Sequence, residues 1–257
     1  MKRILLFLLI LTLLGQAFAR IVIYGDTRTQ DDQHLLIAGR IARHKPELVL
    51  HTGDVSQRGE TQAEYDNFFA LTASITAPIF PARGNHERSE SLFLKNFPKL
   101  GDSTWYTLEH DSLLLVFLDS TKPLDPASGQ YAWLNSELAG AKLPIILILH
   151  HPIFSSGQHG DELGLSLFLP TLLNKHKVKA VFSAHDHNYE HLSHKGIHYV
   201  VTGGGGAPLR DMKALSPYSL KYEKTHHYCL LTRAGKRLQL KVYDQQGREI
   251  DGFDIDL

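Results

Sequence analysis

Ile145-Ile146-Leu147-Ile148-Leu149-His150-His151-Pro152 is an unbroken aliphatic run that stops at two imidazoles. A strand with one wet face would alternate apolar and polar residues, so a run apolar at every position predicts a strand covered on both faces. The same punctuation recurs along the chain. Ile21-Val22-Ile23-Tyr24 stops at Gly25-Asp26, Leu48-Val49-Leu50 leads to Gly53-Asp54, and Pro78-Ile79-Phe80 leads to Gly84-Asn85-His86. Val181-Phe182 is followed by His185 and His187.

Between these runs lie helical patterns. Residues 31–44 predict a helix that Asp31 or Asp32 caps and Pro46 closes off. Residues 60–71 predict a second helix, with Tyr65, Phe68, Phe69 and Leu71 as its apolar face. Helices are also expected at 130–139 and 161–175. Trp105–Leu108 and Leu113–Leu118 predict a hairpin about His110-Asp111-Ser112. The alternation of strand and helix implies βαβ units and a largely parallel sheet, an α/β fold. From Gly196 onward the pattern changes to antiparallel strands, with turns at residues 233–236 and 245–248. No repeat or linker interrupts residues 20–257, which are read as one domain.

The chain has 257 residues, with 27 basic and 27 acidic side chains. This balance leaves no excess cation for phosphate backbones, so nucleic-acid binding is not expected. A hydrophobic fraction of 43% excludes a disordered chain. The single cysteine, Cys229, excludes an internal disulfide and reads as a buried thiol in a strand. Lys2 and Arg3, an apolar run from Ile4 to Leu14, and Ala17-Phe18-Ala19 form the pattern of a secretory signal cleaved after Ala19. Loss of Lys2 and Arg3 takes the formal charge from zero to −2. The product would be secreted or periplasmic, with no membrane segment after cleavage.

Asp26, Asp54, Asn85, His86, His150, His151, His185 and His187 come from five distant segments, each at the end of an apolar run. In an open α/β sheet, ligands bind beyond the carboxyl ends of the strands, so these segments converge. Glycine before Asp26, Asp54 and Asn85 permits a sharp turn into that crevice. His185 and His187, two residues apart, share one side if their segment is extended. Carboxylate, amide oxygen and imidazole together suit Zn, Fe or Mn.

These segments resemble the calcineurin-like metallophosphoesterases. The matching motifs are Gly25-Asp26, Gly53-Asp54, Gly84-Asn85-His86-Glu87, His150-His151-Pro152 and Ala184-His185-Asp186-His187, with a Gly-rich turn at Gly203–Pro208. The nearest branch is that of the purple acid phosphatases. The resemblance implies a four-layer α/β/β/α sandwich of two mixed sheets and a centre of two divalent or trivalent metal ions (Mn, Fe or Zn). It implies that Asp54 bridges them, that Asp26 and His187 bind the first, and that Asn85, His150 and His185 bind the second. It gives His86 a catalytic place beside the substrate and His159 a second one, with Arg28 and Asn85 as substrate-binding residues.

Two positions depart from the pattern. Arg28 stands where many members carry a histidine ligand, and Gln57 where purple acid phosphatases carry a tyrosine. An arginine has no lone pair to donate. It either clamps a substrate phosphate oxygen or pairs with a carboxylate of the crevice. Gln57 offers at most a neutral oxygen, and without the tyrosinate no purple colour is expected.

The resulting expectation is a secreted phosphoesterase that hydrolyses small phosphate monoesters through metal-activated hydroxide. A phosphodiesterase, a nucleotidase or a non-catalytic phosphate- or metal-binding protein are the alternatives. No Gly-x-Ser-x-Gly, P-loop or His-Glu-x-x-His sequence supports another hydrolase.

Overall fold

The computed structural model describes residues 19–257. The predicted signal segment therefore lies outside the described residues, apart from Ala19. Among the described residues, no helix is long and apolar enough to cross a membrane.

Two mixed sheets form. The first contains β1 (Arg20–Tyr24), β2 (Leu48–His51), β3 (Ile79–Pro81), β11 (His227–Ala234), β12 (Arg237–Asp244) and β13 (Glu249–Asp256). Their order is β13-β12-β11-β1-β2-β3, with β1, β2 and β3 parallel and the rest antiparallel. The second contains β4 (Tyr106–His110), β5 (Leu113–Phe117), β6 (Ile145–Ile148), β7 (Ala180–Ser183), β8 (Tyr189–His194), β9 (Ile197–Thr202) and β10 (Ser219–Glu223). Their order is β10-β8-β9-β7-β6-β5-β4. The helices are α1 (Asp31–Arg43), α2 (Gln62–Leu71), α3 (Glu90–Asn96), α4 (Gly129–Gly140) and α5 (Leu163–Lys175).

Successive side chains on a strand point to opposite faces, and here each face has its own partner. Ile21, Ile23, Leu48 and Leu50 meet Leu115, Phe117, Ile146, Ile148 and Phe182 between the two sheets. The intervening Val22, Tyr24 and Val49 pack on Ile37, Ala38 and Ile41 of α1. On the far side, Val116, Leu147 and Val181 pack on Leu134 and Leu138 of α4 and Leu169 and Leu173 of α5. The result is the expected α/β/β/α order. β6 is central and buried at every position, which explains its uniform apolar sequence. Burying each such side chain contributes about 1.5–3 kcal/mol.

Several local expectations change. Asp31 and Asp32 lie in the first turn of α1 and do not cap it; Gln30 holds the cap position. α2 starts at Gln62, where Glu64 accepts the backbone N–H of Thr61, and Phe69 is exposed and does not join the apolar face. The β4–β5 hairpin turns on Asp111 and Ser112, both with positive φ, the two-residue connection that suits strand twist. β9 runs parallel to β7, so the chain after Gly196 is not wholly antiparallel. β8 was not expected as a strand, because its sequence is dominated by polar residues. Cys229 is buried between the sheets, and burial pushes its thiol up to about 12.

Candidate active site

β1, β2, β3, β6 and β7 end at one edge of the sandwich, and the loops that follow carry the polar residues. Asp26 and Asp54 adopt left-handed backbone conformations, with φ of 52° and 59°, and His185 one of 68°. Such angles are uncommon outside glycine and cluster at functional sites. The expected glycine role divides accordingly. Gly53 turns the chain, with φ 99°. Gly84 is needed for space, because a Cβ there would run into the Asp54 carboxylate. At Gly25 the sharp turn is made by Asp26 itself.

His150 is the hub. Its Nδ1–H donates to the Thr52 carbonyl at 2.9 Å, which leaves the Nε2 lone pair facing the crevice. Around Nε2 lie Asn85 Oδ1 at 3.0 Å, His185 Nδ1 at 3.3 Å and Asp54 Oδ1 at 3.4 Å. Burial lowers the pKa of both histidines, so both imidazoles are neutral at ordinary pH. Four donor atoms with lone pairs thus point at one another, an arrangement that suits a cation among them. Asp26, Asp54 and His150 form an overlapping group of possible metal ligands. The Asp26 Oδ1 atom is buried and has no hydrogen-bond partner. Its carboxyl pKa is raised by burial and by the neighbouring Asp54 charge, a cost that a cation would relieve. These residues fit a metal ion.

The first-site residues are arranged differently. His187 Nδ1–H donates to the Pro208 carbonyl at 2.7 Å, and its Nε2 lies 3.6 Å from Asp26 Oδ1. Burial, with Arg210 and Arg28 adding to it, lowers its pKa to about 3. Arg28 lies against both would-be ligands: Nε donates to Asp54 Oδ2 at 3.1 Å, and Nη2 lies 3.4 Å from His187 Nε2. Gln57 Oε1 accepts the Thr29 hydroxyl at 2.8 Å. His185 and His187 do not share one side, because the positive φ at His185 breaks the extended path expected for their segment. His185 joins His150, and His187 joins Asp26.

Asp54 is held from several directions. Burial pushes its carboxyl up, but the Arg28 guanidinium and the backbone N–H of His86 pull it down, below the ordinary carboxylate range. Its Oδ1 accepts the backbone N–H of His86 at 3.0 Å. His86 donates Nδ1–H to the Gln57 carbonyl at 2.6 Å, which leaves Nε2 toward the crevice, 3.9 Å from Asp54 Oδ2. His159 also reaches the site: its ring centroid lies 4.1 Å from that of His185, and its Nδ1 is 3.0 Å from Asp186 Oδ1. Phe154 and Tyr189 pack into the core.

Two residues that the sequence reading did not assign to the site, Glu87 and Arg210, belong to this constellation together with His151. Glu87, fully buried, accepts the backbone N–H groups of Asp54, Gly84 and Ser56 and the Ser56 hydroxyl. Burial and the Asp54 charge raise its pKa to about 7. It ties the Asp54 loop to the Asn85 loop, and its place beside Gly84-Asn85-His86 was the available signal. His151 lies with His150 and His185 in a second group of possible metal ligands. Arg210 Nη1 lies 2.9 Å from His159 Nδ1, and nothing in the local sequence around Arg210 marks it.

The profile of the calcineurin-like phosphoesterases matches residues 19–189. The chain belongs to this family. Tartrate-resistant acid phosphatase type 5 of Rattus norvegicus is 37% identical over 191 residues, which cover 70% of this chain and 55% of the relative. Purple acid phosphatase 21 of Arabidopsis thaliana is 27% identical over 231 residues, covering 74% and 52%. The chain thus spans about half the length of these two relatives. The structure of purple acid phosphatase PPD1 from yellow lupin superposes with a TM-score of 0.81 at 20% identity, over 93% of this chain and 54% of that one. Within the calcineurin-like family, the chain lies on the purple acid phosphatase-like side.

Proposed function

We propose that this protein is a metal-dependent phosphoesterase that hydrolyses small phosphate monoesters. The observation that carries the reading is the convergence of Asn85 Oδ1, His185 Nδ1 and Asp54 Oδ1 within 3.4 Å of His150 Nε2. Asp26, Asp54, Asn85, His150, His185 and His187 are the candidate ligands. A metal ion held there would neutralise phosphoryl charge and make a water nucleophilic near neutral pH.

The chain's own residues do the rest. Asn85, His159 and Arg210 present donors to the non-bridging oxygens. His86 Nε2, when protonated, gives its proton to the leaving alkoxide as the P–O bond breaks and the water oxygen bonds to phosphorus. A monoester has three terminal oxygens for these donors and a diester only two, which favours the monoester. Residues 20–257 form the catalytic domain in this reading, and the signal pattern at residues 1–19 directs it to a secreted or periplasmic location.

The test compares an aryl phosphate monoester with the bis-aryl diester at equal concentration. A higher kcat/KM for the monoester is expected, and a higher value for the diester refutes the monoester assignment. The second reading is a phosphate- or metal-binding protein without turnover. The contact of Arg28 with Asp54 favours it, since it engages a ligand the family leaves to metal.

A further inference from the structure

We infer that Arg28 replaces the first metal ion, so that the centre pairs one bound metal ion with one built-in guanidinium. The inference rests on the metal-dependent reading above and specifies its stoichiometry. The atoms that would hold a first ion are Asp26 Oδ1, Asp54 Oδ2 and His187 Nε2. Arg28 is within hydrogen-bond reach of two of them, at 3.1 Å from Asp54 Oδ2 and 3.4 Å from His187 Nε2. Its side chain is 9% exposed, so it lies inside the crevice and not at its mouth. The backbone beneath it is fixed: Asp26 N–H donates to Gly53 O at 3.0 Å and Thr27 N–H to Asp54 O at 3.1 Å.

A guanidinium keeps its proton under all relevant conditions and has no lone pair to offer a metal. An ion placed among the same atoms would meet both its charge and its N–H groups. The other replacement available to the first site, Gln57, already has its Oε1 engaged by the Thr29 hydroxyl. The family's histidine and tyrosine positions are thus both occupied by side chains that do not ligate.

The second cage is untouched by these changes. Asp54 keeps its Oδ1 toward His150 while Oδ2 holds Arg28, so one carboxylate links a metal position to a guanidinium. Asp26, whose Oδ1 has no hydrogen-bond partner, is grouped with Asp54 and His150 and would join them in holding the single ion. The guanidinium supplies one positive charge and its free N–H groups to a phosphoryl oxygen, in place of Lewis acidity.

The experiment is metal counting on the folded, mature protein. The protein is saturated with Mn²⁺, freed of excess and measured by mass spectrometry of the metal, with the electron paramagnetic resonance spectrum taken on the same sample. About one Mn²⁺ per chain and an uncoupled six-line spectrum are expected. Arg28→His, which restores the family's ligand, is expected to take about two ions and show an exchange-coupled spectrum. Arg28→Ala, checked for folding by circular dichroism, replaces it if the histidine variant does not fold. Two ions in the unsubstituted protein overturn the inference while leaving the phosphoesterase reading intact. One ion in every folded variant overturns the role given to Arg28. No bound metal in the unsubstituted protein overturns the phosphoesterase reading on which the inference rests.

Discussion

Arg28 and Asp54 form a buried ion pair, Nε to Oδ2 at 3.1 Å, on the oxygen of Asp54 that does not face His150. The two carboxylate oxygens therefore have separate duties, one toward the imidazole cage and one toward the guanidinium. The alternatives open to Arg28 in the sequence, a phosphate clamp or a carboxylate partner, differ only by a side-chain rotation that sequence does not encode. The consequence for Asp54 is direct. Asp54→Asn keeps one acceptor but loses the charge, leaving Arg28 buried beside an amide. It is expected to bind metal at least tenfold more weakly, read by titration with Mn²⁺, and to lose activity with it. A variant that retains full metal affinity contradicts the ligand role.

His86 is expected to act on protons and not on metal. Its Nδ1 is engaged with the Gln57 carbonyl and its Nε2 faces the crevice. Positioned general acids contribute about 10²–10⁴-fold. His86→Ala should lower kcat by that amount with an unchanged metal count, and the loss should shrink for substrates with better leaving groups. Equal loss across leaving groups argues against protonation by His86.

Glu87 gathers four donors from two loops, and its replacement by glutamine turns an acceptor into an N–H group facing other N–H groups. Leaving such buried donors unpaired costs about 1–3 kcal/mol. Glu87→Gln should lower the denaturation midpoint correspondingly and weaken metal binding, since Asp54 and Asn85 are both positioned through it. An unchanged midpoint would show that the loops hold without it.

How much was legible follows from what fixes each feature. The strands of the parallel segments and the gathering of Asp54, Asn85, His150 and His185 were readable, because uniform apolar runs mark strands covered on both faces and parallel strands carry their polar residues at their carboxyl ends. β8 was not, since Glu190 and His191 are buried through partners on other elements: Glu190 accepts from Ser156, and His191 stacks on Phe253. Arg210 reaches His159 from a loop 51 residues further along the chain, and no local pattern announces a contact at that range. The left-handed turn at His185, which parts it from His187, depends on Asp26 Oδ2 accepting the His185 N–H at 2.7 Å, a tertiary bond.

Acid stability should depend on buried neutral histidines away from the centre. His227 donates Nδ1–H to Thr225 O at 2.9 Å and lies 3.1 Å from the Thr202 hydroxyl, and burial lowers its pKa from 6.5 to about 4. The folded state thus binds this proton less readily than the unfolded state. Its stabilising contribution is complete above pH 6.5 and falls as the pH drops toward 4, by about 1.4 kcal/mol per pH unit. In chelator-treated protein, His227→Gln should flatten the stability profile across that window. An identical slope in both proteins contradicts the assignment.

Hydrolysis is expected to depend on a metal ion bound about His150. The most direct measurement is hydrolysis of an aryl phosphate monoester by protein stripped with chelator and then titrated with Mn²⁺, Zn²⁺ or Fe²⁺. No turnover is expected after stripping, with recovery that saturates with added metal in the unsubstituted protein but not in His150→Ala. Turnover that survives stripping, or that recovers equally in His150→Ala, would contradict that dependence.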